Sequence, residues 1–265
     1  MHDTHPETPP FYTIDENGWV MGNDPARGPW TVDGCHGGPV AAIFARALEM
    51  AVPDKQLTRL TIDLFRPVPL SGFRIETEIG RNGRMVATIA ATLINREGKP
   101  CASATGLLIR EEDLGEVPTT TILPPDFDNK VGIRFPGVKR GHDLPTFADF
   151  TEIAFPSDKP FSPGPNTMWM RTTSLLAGEA MSGFQTLCPL ADCGNGFSRN
   201  EPGMTISFIN PDLSINFHRD PVSRWIGASF SSQWESTGRG VSLATLFDTQ
   251  GPIGAAQQTL LLQHV

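Results

Sequence analysis

Ala91-Thr92-Leu93-Ile94-Asn95-Arg96-Glu97-Gly98 returns later in the chain as Ala244-Thr245-Leu246-Phe247-Asp248-Thr249-Gln250-Gly251. On either side of this stretch Ile62, Arg66, Ala102, Leu107 and Leu108 recur as Ile215, Arg219, Ala255, Leu260 and Leu261. Every pair keeps one interval without a gap (219 − 66 = 261 − 108 = 153). Such a repeat predicts two copies of one unit packed about a pseudo-twofold axis, with chemistry confined to one copy marking where they diverged. A chain of 265 residues accommodates two units of roughly 110 to 130 residues.

Within the first copy, Val40, Ile43, Phe44, Ala47, Leu48 and Ala51 form one apolar stripe at helical period. Pro39 suits the first helical position and Pro53 closes the helix. From Leu60 the period becomes two. Leu60, Ile62 and Leu64 alternate with Thr61, Asp63 and Phe65, and strands are expected over Phe73 to Ile79, Arg84 to Ile94 and Cys101 to Ile109. Asn82-Gly83 and Glu97-Gly98 supply the turns between them. A short strand is also expected before the helix, at Gly18 to Met21.

The second copy repeats the order. A strand at Thr167 to Arg171 precedes a helix carrying Phe184, Leu187, Cys188 and Ala191, and strands follow at Met204 to Ile209, Leu213 to His218, Trp225 to Trp234, Gly240 to Phe247 and Ala255 to Gln263. Pro189 predicts a kink or an early helix end, since an interior proline costs about 3 kcal/mol. Each unit thus reads as an α+β arrangement, a long helix wrapped by a curved antiparallel sheet. The expected boundaries are 1–112, 113–165 and 166–265. Glu111 to Pro165 is proline-rich and without clear periodicity, which suits a linker or a lid. Phe135, Phe147, Phe150, Phe155 and Phe161 suggest that parts of it pack, with the segment wrapping the surface.

A net charge of −8 and the lack of any Lys/Arg cluster exclude a nucleic-acid partner. No apolar run approaches the roughly 20 residues of a membrane span, and the start of the chain lacks the regions of a signal peptide, so a cytoplasmic location is expected. Cys35, Cys101, Cys188 and Cys193 show no CxxC spacing and read as reduced, mostly buried thiols. The histidines form no metal-binding pattern. Met1 to His5 reads as a disordered terminus rather than a chelator.

His36-Gly37-Gly38-Pro39-Val40-Ala41, Leu64-Phe65-Arg66-Pro67 and Asn95-Arg96-Glu97-Gly98-Lys99-Pro100 together resemble the N-terminal half of the type II (TesB-like) acyl-CoA thioesterases. Leu190-Ala191-Asp192, Phe217-His218-Arg219 and Gly251 to Leu260 resemble the C-terminal half. The resemblance spans nearly the whole chain except the middle segment and the first residues. It implies two tandem hotdog units and hydrolysis of fatty acyl-CoA to fatty acid and CoA, with no metal or organic cofactor. It further implies that the family's water-activating Asp falls on Asp192, its Gln on Gln258, and its Thr or Ser on Asn210, a departure from the pattern. Ser214 is the nearest hydroxyl on the following strand.

The residues themselves allow two readings of Asp192. Burial among small and apolar neighbours would raise its pKa and demand a partner, or it satisfies the backbone of the turn that ends the helix. Gln258 corresponds to Thr105 in the first copy (258 − 153 = 105) and is expected to face opposite to Gln257. His36, Gly37 and Gly38 precede a helix whose free N–H groups suit an oxyanion or a phosphate, or they form a tight loop without a ligand. Arg66 and Arg219, being duplicated, suit a structural role, such as an ion pair at a strand end, better than a pyrophosphate contact. Trp169, Trp225, Trp234, Phe208 and Phe230 read as core rather than as the lining of an acyl tunnel.

The competing reading is a noncatalytic acyl-CoA or lipid-binding protein, motivated by the hydroxyl missing at Asn210. A hydratase or dehydratase would need a paired Asp and His on one helix, and no such pair stands near Asp192 in the sequence. Exposed edge strands are compatible with a homodimer.

Overall fold

The computed structural model describes residues 8–136, 141–203 and 205–265. The terminus Met1 to His5 and the first residue of the strand expected from Met204 lie outside the described residues. In chain order the elements are β1 (Tyr12–Ile14), β2 (Val20–Gly22), α1 (Gly37–Ala51), β3 (Gln56–Leu64), β4 (Phe73–Asn82), β5 (Val86–Asn95), β6 (Pro100–Ile109), β7 (Lys130–Ile133), β8 (Glu152–Pro156), β9 (Asn166–Arg171), α2 (Gly183–Ala191), α3 (Gly194–Phe197), β10 (Ile206–Ile209), β11 (Asp212–Phe217), β12 (Ile226–Trp234), β13 (Arg239–Asp248) and β14 (Gly251–His264).

The strands form one large antiparallel sheet in the order β1-β2-β4-β5-β6-β3-β11-β14-β13-β12-β9-β8-β7, with β10 added to β14. The helix stripe read from the sequence is the buried face of α1. Val40, Ile43, Phe44 and Leu48 are enclosed, and the helix packs on β3, β4, β5 and β6. Each such side chain contributes roughly 1.5 to 3 kcal/mol by leaving water. Phe184, Leu187 and Leu190 of α2 are buried likewise, on β11 to β14, and the two helices touch each other.

Helix α1 begins two residues before Pro39, because His36 caps it. Proline is tolerated in a first turn, where N–H groups have no helical partner. Helix α2 ends two residues after Pro189, and Asp192 caps it.

The halves meet where β3 pairs with β11. Thr61 stands opposite Ser214 (214 − 61 = 153), and the Ser214 hydroxyl donates to Thr61 Oγ1 at 3.1 Å. Equivalent residues of the repeat therefore face each other, as a self-complementary ladder requires. This contact also takes Ser214 out of the candidate site.

One sequence equivalence fails. Leu93 pairs with Ala102 but its counterpart Leu246 pairs with Gly254, and 254 − 102 = 152. The turn after β13 has only Thr249 and Gln250 between the paired Asp248 and Gly251. The turn after β5 has Arg96, Glu97 and Gly98 between Asn95 and Lys99, which are joined by a 3.0 Å main-chain bond. Losing one residue shifts all of β14. The spatial counterpart of the buried Gln258 is thus the buried Gly106, not the exposed Thr105, and Leu260 rather than the exposed Leu261 replaces Leu108.

The middle segment is not a structureless linker. Strands β7 and β8 extend the sheet from β9, and Phe147 and Phe155 are buried. Of the aromatic residues assigned to the core, Trp169 and Phe230 are enclosed, Trp225 and Trp234 are half-buried, and Phe208 lines a cavity. All four cysteines are free thiols.

Candidate active site

The N-terminus of α1 meets the C-terminus of α2, and this close approach depends on two glycines. A Cβ on Gly38 would stand 2.7 Å from the Pro189 Cα, and one on Gly37 would stand 2.7 Å from Asp192 Oδ2. With no side chains there, the Asp192 carboxylate, 6% exposed, settles against the first turn of α1. The positive end of the helix favours its charge. The anion position that the His36-Gly37-Gly38 stretch offers is filled, at least in part, by the protein's own carboxylate.

Three further side chains converge on Asp192. Asn210 Nδ2 donates to Oδ1 at 2.9 Å, and Gln258 Nε2 donates to the Asp192 carbonyl at 2.8 Å and to Oδ1 at 3.2 Å. His36 Nδ1 lies 3.1 Å from Asp192 Oδ2 and also 3.1 Å from the Gly38 nitrogen. A neutral Nδ1 accepts the Gly38 N–H, whereas a protonated one donates to the carboxylate. The imidazole is stacked on Phe147 of the middle segment, ring centroids 4.2 Å apart.

Burial pushes the Asp192 carboxyl above its ordinary pKa, against the opposing pull of His36, Asn210, Gly38 and Gln258. Burial lowers His36, against the pull of Asp192. Both shifts favour the neutral forms, so a proton is exchanged here nearer to neutrality than at an ordinary carboxylate.

Beside the cluster lies a cavity of about 870 Å³, lined by His36, Gly37, Asp192 and Asn210 as well as by aromatic residues. Phe135 and Phe161 from the middle segment, Phe197 from α3 and Phe208 from β10 give it an apolar wall suited to an acyl group. Trp30, edge-on to Phe208 with centroids 6.4 Å apart, stands at the same wall.

All six residues singled out from the sequence are therefore together. Gln258, 2% exposed, is not on the cavity wall: its amide is spent on Asp192, and its oxygen faces the Asn195 N–H at 3.4 Å. It holds the carboxylate rather than a water. Sequence reasoning missed the contact between His36 and Asp192, and the histidine said to be lacking near Asp192 is supplied from the other half. The paired glycines after His36 were the available signal, since they mark a close approach. The middle segment's place at the site fits the lid alternative, although the stacking of Phe147 on His36 was not foreseen.

Arg66 and Arg219 have diverged. Arg219 forms a fork on the buried Asp248, with both N···O distances 2.7 Å. Asn95 occupies the place of Asp248 in the first copy (248 − 153 = 95), and Arg66 donates instead to the Pro100 carbonyl at 2.6 Å. The expected ion pair exists in one copy, while Arg66 borders the cavity.

The family model of the acyl-CoA thioesterase C-terminal domain matches residues 123–262, more than half of the chain, and that of the N-terminal domain matches residues 26–109. The chain belongs to the acyl-CoA thioesterase family. It is a thioester hydrolase. Among curated protein sequences no significant match is found.

Solved structures share the fold of this family member. A candidate thioesterase from Novosphingobium aromaticivorans is 17% identical, with a TM-score of 0.75, and the alignment covers 97% of this chain and 100% of that one. A conserved protein of unknown function with a hotdog fold from Alicyclobacillus acidocaldarius is 16% identical, with a TM-score of 0.72 and 96% of each chain covered. The acyl-CoA thioesterase II TesB2 of Mycobacterium marinum is 16% identical, with a TM-score of 0.63, covering 96% of this chain and 95% of that one. Among the described residues, no helix is long and apolar enough to cross a membrane.

Proposed function

We propose that this thioesterase is a tandem pair of hotdog units, 1–112 and 166–265 joined by 113–165, that hydrolyses fatty acyl-CoA with Asp192 as the general base. The Thr61–Ser214 seam supports the tandem reading, with β7 and β8 of the joining segment extending the sheet of the second unit. The observation that carries the mechanism is the buried Asp192 carboxylate, raised in pKa and held by Asn210 and Gln258 on the wall of an apolar cavity.

In this mechanism a water lies between the Asp192 carboxylate and the Asn210 side-chain oxygen. Asp192 takes one proton as the water oxygen bonds to the acyl carbon. The Gly37 N–H, in a first turn with no helical partner for it, faces the negative charge that develops on the carbonyl oxygen. The C–S bond then breaks with its electron pair on sulfur, and the thiolate takes up a proton from Asp192 or solvent. Gln258 fixes the carboxylate from behind. Asn210 replaces a hydroxyl but keeps both tasks, since its nitrogen holds Asp192 and its oxygen can accept from the water.

Thiol release from short-, medium- and long-chain acyl-CoAs tests this function, and turnover is expected for a chain that fills the apolar cavity. The function is wrong if no chain length yields free thiol. The His36–Asp192 contact favours a second reading, hydration of a 2-enoyl thioester by the pair. Consumption of the enoyl group with no thiol released would select it.

A further inference from the structure

Arg199, just beyond α3, lies outside the Asp192 cluster but on the same cavity wall. Its side chain is 16% exposed, and its Nε and Nη2 atoms are buried without a hydrogen-bond partner among the described residues. Glu201 Oε1 stands 3.6 Å from Nη2, an ion pair beyond hydrogen-bond range that leaves the donors of the fork unfilled. The two Glu201 oxygens are already engaged, by the Ile206 N–H at 2.8 Å and the Thr205 hydroxyl at 2.6 Å. The position of Arg199 is fixed through its carbonyl, which accepts the Gly164 N–H at 2.6 Å.

Buried donors left without acceptors are rare and call for an explanation. Arg219 shows the satisfied state in this same chain, with its fork closed on Asp248. Phe161, Pro163, Phe197 and Pro202 line the same cavity with side chains that supply no acceptor, and the Glu201 carboxylate lines it with them. Nε and Nη2 form the planar edge of the guanidinium that matches two oxygens of a carboxylate or a phosphate.

We propose that Arg199 anchors an oxyanion carried by the thioester substrate, either a carboxylate on the acyl chain or a phosphate of CoA, and so determines substrate choice. This rests on the thioesterase reading of the cavity. The test uses binding rather than turnover, so the two ideas fail separately: absence of thiol release from the wild type removes the proposed function, whereas the result below concerns Arg199 alone.

Calorimetric titration compares D192N with D192N/R199Q, using hexanoyl-CoA, adipoyl-CoA and the two matching pantetheine thioesters, which carry no phosphate. If the anchor reads the acyl end, losing Arg199 weakens both adipoyl probes by about tenfold or more and spares both hexanoyl probes. If it reads CoA, both CoA probes weaken and both pantetheine probes are spared. Changes below about twofold on all four probes, or equal losses on all four, would overturn the proposal. Unchanged binding of hexanoyl-pantetheine shows that the cavity is intact. R199K is the second variant, keeping the charge without the fork; smaller losses on the same probes are expected, and none would again overturn it.

Discussion

The paired helices end in two carboxylates, one at each junction, and Asp192 lines the apolar cavity while the half-buried Glu49 does not. At one junction the α2 cap Asp192 meets the α1 cap His36. At the other, Glu49 near the end of α1 meets the α2 cap Ser182, which donates to its Oε1 at 2.8 Å, while Gln185 Nε2 donates to Oε2 at 2.6 Å. Burial raises both carboxyls. An acid shielded from water and held by a side-chain amide is thus a product of the helix packing, present twice. What separates them is access: Asp192 opens onto the apolar cavity, and Glu49 is absent from its lining. A raised pKa marks a helix junction here, and the adjoining space for a substrate makes it a site.

The same contrast can be broken at the glycines. The Cβ of G37A would crowd the Asp192 carboxylate, so a rate loss of roughly a hundredfold in thiol release is expected, with the melting temperature little changed. Gly183 opens α2, and a Cβ there would meet the Asp220 carboxylate instead. G183A should lower stability and leave the rate per folded molecule within about twofold. Equal rate losses in both variants would show that the junctions are not functionally distinct.

The arginine pair sharpens the difference in stability. R219A strands the charge of buried Asp248 and is expected to destabilise by about 3 kcal/mol in chemical denaturation, against under about 1 kcal/mol for R66A. Burial alone would raise Asp248, but Arg219 and the Val222 and Gln250 N–H groups outweigh it and hold the carboxyl at about 2. A depressed folded-state pKa gives stability that is complete above the ordinary carboxylate value and is lost as pH falls through about 2. The gap between wild type and R219A should therefore close with acidification. The smallest effect is expected at Glu49, where E49Q should keep thiol release within about twofold of the wild type because Glu49 does not line the apolar cavity.

Much of this molecule was legible in its sequence, for physical reasons that also set the limit. The α1 stripe and the alternating strands are local periodicities, so they were read correctly. The offset of 153 carried over to the seam, where Thr61 faces Ser214. It misled at β14, because one residue fewer in the turn at Thr249-Gln250 moves every later side chain by one place while the chance identities at Leu107/Leu260 and Leu108/Leu261 keep the alignment gapless. Asp192, Gln258 and Asn210 were reached through a family resemblance, and their convergence is a matter of tertiary packing. His36 reaches Asp192 from the other half of the chain, and no local pattern encodes that contact. Nor does composition reveal that a proline-rich segment places Phe147 on His36.

Thiol release by D192N, against the wild type across a range of pH, tests the central claim most directly. Because burial raises Asp192, its contribution to folding favours the protonated form and is lost as pH rises through the folded-state value, so the neutral Asn should leave the fold at least as stable near neutrality. The wild-type rate should fall as pH drops through a carboxyl pKa above the ordinary value, and folded D192N should retain on the order of a thousandth of the neutral-pH rate, without that acid limb. A folded D192N that keeps more than about a tenth of the rate would contradict the assignment of Asp192 as the base.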